Sequence, residues 1–222
     1  MPDNATAPSA VVRRAAFVGF GAMGEQVARL ARMSMTYTEE IFFDDHFLAA
    51  GGAGARPFAD HVSDEFAGCD FFVCLGYHHA ALRRRLMRQL VSLGRRLPVV
   101  AHPSASLDPS ATIGAGCIFL PGAIVDANAI IGMGTLLHNG AIVSHDSHIG
   151  ECAYLSPRAT VCGRVRIGAE CFLGAGVLVA NDLAVEDRCI LGIGTVVTRS
   201  ITDAGTHWIG NPMRRVERGL KL

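Results

Sequence analysis

From Leu107 onward an aliphatic residue, or one Phe, recurs at every sixth position of this chain. The series runs Leu107, Ile113, Phe119, Val125, Ile131, Leu137, Val143, Ile149, Leu155, Val161, Ile167, Leu173, Val179, Val185, Leu191, Val197. The phase holds for 16 units, 96 residues from Leu107 to Thr202, without an insertion. Such a period belongs to a stacked repeat rather than to a set of independent helices and strands. Four residues after each aliphatic comes a second, mostly small residue, such as Ala111, Cys117, Ala123 or Ala129. Two positions before the next aliphatic, that small residue points the same way on a short strand. Three residues after the aliphatic stands Gly, Asn or Asp in nine of the 16 units, among them Gly116, Asn128, Gly140 and Asp146. These types tolerate positive φ and suit a sharp corner. Strand, corner, strand with a narrow interior makes a β-solenoid whose coils stack on one another.

The composition follows from this. Half of the 222 residues are hydrophobic, yet only 7% are aromatic and 25 are glycine. A narrow coil admits aliphatic and small residues and excludes most rings. Zero formal net charge argues against nucleic acid or a polybasic membrane surface as partner. No apolar run reaches the length of a membrane span. Residues 1–12 read as a loose tail. Seven cysteines without disulfide-like or CxxC spacing favour a reducing, cytoplasmic location. Cys117, Cys171 and Cys189 fall on the small inward position; Cys152 and Cys162 do not, and receive no role.

The first hundred residues read differently. AAFVGF at 15–20 is a buried strand. It runs into Gly19-x-Gly21-x-x-Gly24 and then a helix with Met23, Val27 and Leu30 on one side. IFF at 41–43 is a second strand ending in Asp44 and Asp45, at about the offset where an acid meets a ribose. FFVCLG at 71–76 is a third. A helix carrying Leu82, Leu86, Leu90 and Leu93 follows, and LPVV at 97–100 is expected as a fourth strand. This is a small doubly wound α/β unit whose glycine turn would hold a phosphate-bearing ligand at a helix N-terminus; a tight turn without a ligand is the plain alternative. The run Arg83, Arg84, Arg85, Arg88 is expected on a solvated helix face.

The polar cluster HNGAIVSHDSHIG, residues 138–150, holds His138, His145, Asp146 and His148. His145 lies two past an aliphatic and so points outward, with Asp146 beside it on a corner and Gly163 stacked one coil on. A histidine with a carboxylate partner and open space can act as a general base. His148 reads as an outward, solvated residue.

The six-residue pattern resembles the hexapeptide repeat of left-handed parallel β-helices, in which three units complete a coil and residues 18 apart stack. The order of motifs is broader evidence. Strand–GxGxxG–helix, FFDD, HPSA at 102–105, SHDSHIG and WIGNPMRRV at 208–216 resemble the NeuD/PglD-like bacterial sugar acetyltransferases, over about residues 14–216. Members modify nucleotide-linked amino sugars or sialic acid. The resemblance implies a Rossmann-like nucleotide-sugar-binding domain over 13–101, an acyltransferase β-helix over 102–202 and a segment over 203–222 closing the CoA site. It further implies acetyl-CoA as acyl donor, no metal, a homotrimer with acetyl-CoA between adjacent subunits, and a place in surface glycan biosynthesis. Carried over by position, the general base falls on His145 and its carboxylate on Asp146. The nucleotide sugar falls on Gly19, Gly21, Asp44, Asp45 and Gly76, with His138 facing the sugar where the family often has Asn. Acetyl-CoA contacts fall on Tyr154 (in place of histidine), Gly163, Ala175, Ile193, Gly210 and Pro212. An amine or a hydroxyl acceptor would need the same base, so the sequence does not separate N- from O-acetylation. The nucleotide-holding elements favour the amine of a nucleotide-linked amino sugar, such as a UDP-4-amino-4,6-dideoxy sugar, with O-acetylation of a sugar or sialic acid as the alternative. Two other classes compete with this reading. A zinc-dependent γ-type carbonic anhydrase shares the solenoid, but His138-x6-His145-x2-His148 does not match its spacing, and the α/β unit would be idle. A non-catalytic nucleotide sensor would leave His145–Asp146 without a purpose.

Overall fold

The computed structural model describes residues 13–217; the expected tail over 1–12 lies outside them. The α/β unit begins with β1 (Arg14–Val18), α1 (Ala22–Ser34), β2 (Glu39–Phe43), α2 (Asp45–Ala49) and β3 (Ala55–Arg56), and continues with β4 (Asp70–Val73) and α3 (Ala80–Ser92). The strands are parallel in the order β3-β2-β1-β4. From β1 the chain steps one way to β2 and later the other way to β4. The crevice between the ends of β1 and β4 is therefore the point where a doubly wound sheet takes its ligand. Phe17, Phe42 and Phe72 stack on one face of the sheet, and Phe43, Phe66 and Phe71 pack on the other.

The expected fourth strand over LPVV is not in this sheet. The sheet's fourth strand is Ala55–Arg56 on the opposite edge, against β2, while beyond β4, among the described residues, only Arg96 bridges Asp70. Val100–Ala101 pairs instead with Ile118–Phe119 as the first rung of the solenoid. The reason is hydrogen bonding: the solenoid's first coil would otherwise present a free edge, and Val100 N–H and His102 N–H satisfy the carbonyls of Cys117 and Phe119.

The remaining chain is a left-handed parallel β-helix of about six turns. Every rung pairs with the one 18 residues away, as in Ile130↔His148 and Tyr154↔Phe172. Three flat sheets result. The first contains Leu136–Leu137, Tyr154–Leu155 and Phe172–Leu173. The second contains Ile124–Val125, Ile142–Val143 and Leu178–Val179. The third contains Ile130–Ile131, His148–Ile149 and Arg166–Ile167. The predicted aliphatic and small positions line one continuous core, from Cys117 to Cys189 and Val197. All seven cysteines are free.

The corners are more uniform than the residue types suggest. Every sixth residue from Gly116 to Gly194 has positive φ, including Cys152, Arg158, Arg164, Glu170 and Arg188. A non-glycine residue in this region costs about 1–2 kcal/mol, so stacking imposes the corner on whatever residue falls there. After the last coil, His207–Ile209 extends the first sheet and Arg214–Val216 turns back antiparallel, with Trp208 and Met213 packed on the end of the core.

The α/β unit docks on the first sheet. Ile118, Leu120, Leu136 and Tyr154 share a core with α1 residues Val27, Leu30 and Ala31. Two expectations for α3 fail here. Its buried side is Arg83, Leu86, Met87 and Leu90, while Leu93 lies beyond the helix and is exposed. The arginine run is not a solvated face: Arg83 is buried, and Arg84 and Arg88 pair with Glu151 and Glu170 of the solenoid. Cys152, which had no role, is buried 4.0 Å from the sulfur of Met87 in the same interface.

Candidate active site

The corner between the second and third sheets carries His145 and Asp146. Asp146 holds φ at 56°, which turns its carboxylate back toward its neighbour. His145 Nδ1 lies 2.8 Å from Asp146 Oδ2, and Asn128 Nδ2 donates to Asp146 Oδ1 at 3.2 Å from the coil before. The His145 and Asn128 contacts hold the Asp146 carboxyl below the usual carboxylate range. A charged carboxylate only accepts, so Nδ1 carries the proton and Nε2 keeps its lone pair. That nitrogen sits over Gly163: a Cβ there would be 2.6 Å from Nε2. The Gly163 N–H donates to Asn181 Oδ1 at 3.1 Å. Arg164 and Asp182 form a bidentate pair on the next corners of the same column. The side chains of His145 and Asp146 are each about half exposed.

The nucleotide-turn residues gather at the β1/β4 crevice. Gly19 takes φ +84°, and Gly21 precedes the first turn of α1. Asp44 caps α2 through Phe47 N–H at 2.9 Å and accepts Phe20 N–H at 2.8 Å. Burial pushes its carboxyl up, but the N–H groups of Phe20, Phe47 and His46 outweigh that and hold it low. Each Asp44 oxygen thus already fixes the glycine turn or α2. Asp45 accepts Phe58 N–H at 2.8 Å. Gly76 opens the turn Tyr77–His79 that leads into α3.

The other expected contacts are spread apart. His138 stands at the corner between the first and second sheets, opposite the His145 corner. Its Nδ1 accepts Asn139 N–H at 2.9 Å, and burial lowers its pKa. Tyr154 is buried on the docking face between Tyr77, Phe172 and His138, away from His145. Ala175 and Ile193 stack on the His138 corner, with Gly210 O accepting Val196 N–H nearby; Pro212 follows in the same closing turn. Ile193 is 79% exposed. His148 points outward from the third sheet, in register with Arg166. Among the described residues no three His, Cys, Asp or Glu side chains converge as a metal site. Nor is any described helix long and apolar enough to cross a membrane. Sequence reading missed Asn128 and Asn181, whose only signal is their 18-residue offset from Asp146 and Gly163.

No protein-family model and no curated protein sequence matches the chain. Solved structures do. The acetyltransferase domain of PglB from Neisseria gonorrhoeae FA1090, in complex with acetyl coenzyme A, is 31% identical over 92% of this chain and 100% of that one, with a TM-score of 0.83. PerB from Caulobacter crescentus, in complex with CoA and GDP-perosamine, is 27% identical over 94% of this chain and 99% of that one, also at 0.83. WeeI from Acinetobacter baumannii AYE shares the fold at 19% identity and a TM-score of 0.67. Solenoid, docked α/β unit and neighbours together define an acyltransferase that uses acetyl-CoA. More narrowly, the chain belongs to the NeuD/PglD-like sugar acetyltransferases of the hexapeptide-repeat family.

Proposed function

We propose that the chain transfers the acetyl group of acetyl-CoA to the amino group of a nucleotide-linked amino sugar, with His145 as general base. The observation that carries this is the His145–Asp146 pair, with a bare Nε2 over Gly163 at an open solenoid corner. Nε2 takes a proton from the sugar amine as the amine attacks the thioester carbonyl. Asp146 holds the ring tautomer and stabilises the imidazolium that forms, and CoA departs as thiolate. Gly163 N–H, at the same place, is a donor for the developing oxyanion once the Asn181 amide turns aside. The open β1/β4 crevice with its glycine turn supports the nucleotide assignment, as does the GDP-perosamine complex of PerB.

In this reading residues 13–101 hold the nucleotide, 102–202 carry out the transfer and 203–217 close the CoA site, the rest of the expected 203–222 segment lying outside the described residues. Gly163 and the Ala175–Ile193 pair lie on opposite edges of the second sheet, so one acetyl-CoA reaches both only between two copies of the chain. The outward column of that sheet is Ile124, Ile142, Thr160, Leu178 and Val196, with Ile124 39% and Leu178 40% exposed. That apolar face suits a homotrimer, and Leu178→Asp should give monomers by light scattering and abolish turnover.

The deciding assay is CoA thiol release with UDP-, dTDP- and GDP-linked amino sugars and with free sialic acid. Release with at least one nucleotide amino sugar is expected. Release with sialic acid alone would make the chain an O-acetyltransferase, and silence across the panel would sink the reading.

A further inference from the structure

Arg83 heads the fully buried side chains by volume, at 2% exposure. A buried guanidinium ordinarily sits against a carboxylate. Here the neighbouring Arg84 and Arg88 hold the carboxylates of Glu151 and Glu170, and Arg83 meets only backbone carbonyls. Nη1 donates to Leu75 O at 3.3 Å. Nη2 donates to Cys152 O at 2.6 Å and faces Ala153 O at 3.4 Å. Nε has no partner. Burying a cation without a counter-charge is costly, so the position calls for a purpose beyond filling space.

The carbonyls suggest that purpose. Leu75 belongs to the loop after β4 that carries Gly76 to the crevice. Its side chain is packed so closely on the glycine turn that a Cβ at Gly19 would be 2.8 Å from Leu75 Cδ2. Cys152 and Ala153 belong to the solenoid coil that follows His145 and leads to Tyr154. The same loop is held a second time by Tyr77, whose ring lies 4.5 Å from that of Phe172 and 5.6 Å from that of Tyr154. An unbroken chain of contacts therefore runs from the solenoid coil through the guanidinium to Leu75 and on to Gly19. Met87 and Leu86 of α3 supply the apolar packing between the two units, so Arg83 is not needed for contact area. What it adds is direction: a planar fork that fixes a loop carbonyl relative to a coil carbonyl.

We propose that Arg83 is a positioning residue that sets the glycine turn and the Gly76 loop at a fixed height over the acyl-transfer solenoid. It thereby governs binding of the nucleotide-linked sugar and not of acetyl-CoA. The kinetic part rests on the function proposed above; the structural part does not. The test uses the full-length protein with Arg83→Lys and Arg83→Gln, and Arg85→Gln as a control on the exposed side of α3. Amide hydrogen exchange is followed at Leu75–His79, and steady-state kinetics are measured for both substrates. In Arg83→Gln, faster exchange confined to that loop is expected, with KM for the nucleotide sugar raised about tenfold or more and KM for acetyl-CoA unchanged. Arg83→Lys, which keeps the charge without the fork, should recover only part of this, and Arg85→Gln should match the parent. A folded Arg83→Gln protein with parental exchange and parental KM for the sugar overturns the proposal. So does a uniform loss of folded protein whose surviving fraction has parental constants, because that marks a purely structural residue. If the parent itself releases no CoA with any nucleotide sugar, the functional reading fails, and hydrogen exchange alone decides the role of Arg83.

Discussion

Replacing Gly163 with alanine should disable the enzyme while leaving its fold intact. The φ of Gly163 lies outside the left-handed region, so the backbone accepts a side chain. The obstacle is the histidine above it. An alanine Cβ would stand 2.6 Å from His145 Nε2 and 2.7 Å from Cε1, and ordinary contact begins at 3.4 Å. The ring must therefore recede by 3.4 − 2.6, or about 0.8 Å. Misplacement on that scale costs on the order of 10²-fold in rate, equivalent to about 2.7 kcal/mol of barrier. The half-exposed ring has solvent to move into, so the rotamer strain is about 0.5–1.5 kcal/mol, and Tm should fall by no more than roughly 6 °C. Thiol-release kinetics would show the loss in kcat. The sharper check is a double-mutant cycle. His145→Ala alone should cost about 10²- to 10⁴-fold. If Gly163→Ala works only by displacing the ring, adding it to His145→Ala should cost nothing more. A double variant slower than His145→Ala by the full single-mutant factor would refute the steric argument and place the effect on the Gly163 backbone.

Other consequences are simpler to state. Asp146→Asn keeps a residue suited to the left-handed corner but removes the charge opposite Nδ1; a fall in kcat of about tenfold or more with Tm little changed is expected. Gly134→Ala combines a φ of +68° with a Cβ driven into Met87 Sδ; thermal denaturation should register a loss of about 2–4 kcal/mol, roughly 4–16 °C. Burial pushes the Glu151 carboxyl up, but Arg84 and Arg88 outweigh it and hold the group below its ordinary 4.5. The ion-pair contribution is then complete above about pH 4.5 and is lost as pH falls through the lower folded value. Docking of α3 on the solenoid should weaken in that acid window, and a Tm-versus-pH series for Glu151→Gln should show a smaller acid slope than the parent.

The solenoid was legible because its physics is local and repeated. Each coil must place an aliphatic, a small residue and a corner at fixed spacing, so Leu107 to Val197 announces itself in one dimension. His145 and Asp146 were legible for the same reason, since the register says which way each side chain points. What sequence could not show depends on one unit meeting the other. Arg83 looks like any arginine in a basic run until the carbonyls of Leu75 and Cys152 are brought to it from 8 and 69 residues away. Val100 looks like a strand of the nearest sheet, and only the bare edge of the first coil explains why it joins the solenoid. Ala55–Arg56 is too short to carry a pattern. The glycine content had a second source as well. Gly114, Gly132, Gly150 and Gly168 form a column in which an added Cβ would meet the backbone of the coil above at under 3.0 Å, a requirement visible only once the coils are stacked.

The uniform offset of 18 between paired rungs also limits how such a chain can change its length. Adding or deleting 18 residues inserts or removes a whole storey and returns every later side chain to its own face, so the solenoid can grow taller without altering its plan. A change of six rotates everything downstream by one face and would carry Ala175 and Ile193 away from the edge where a neighbouring copy meets them. A change of twelve rotates it by two faces, and any number that is not a multiple of six breaks the corner phase outright. Length variation in the solenoid is therefore quantised, and loops that must vary freely are best accommodated in the α/β unit or beyond the last coil.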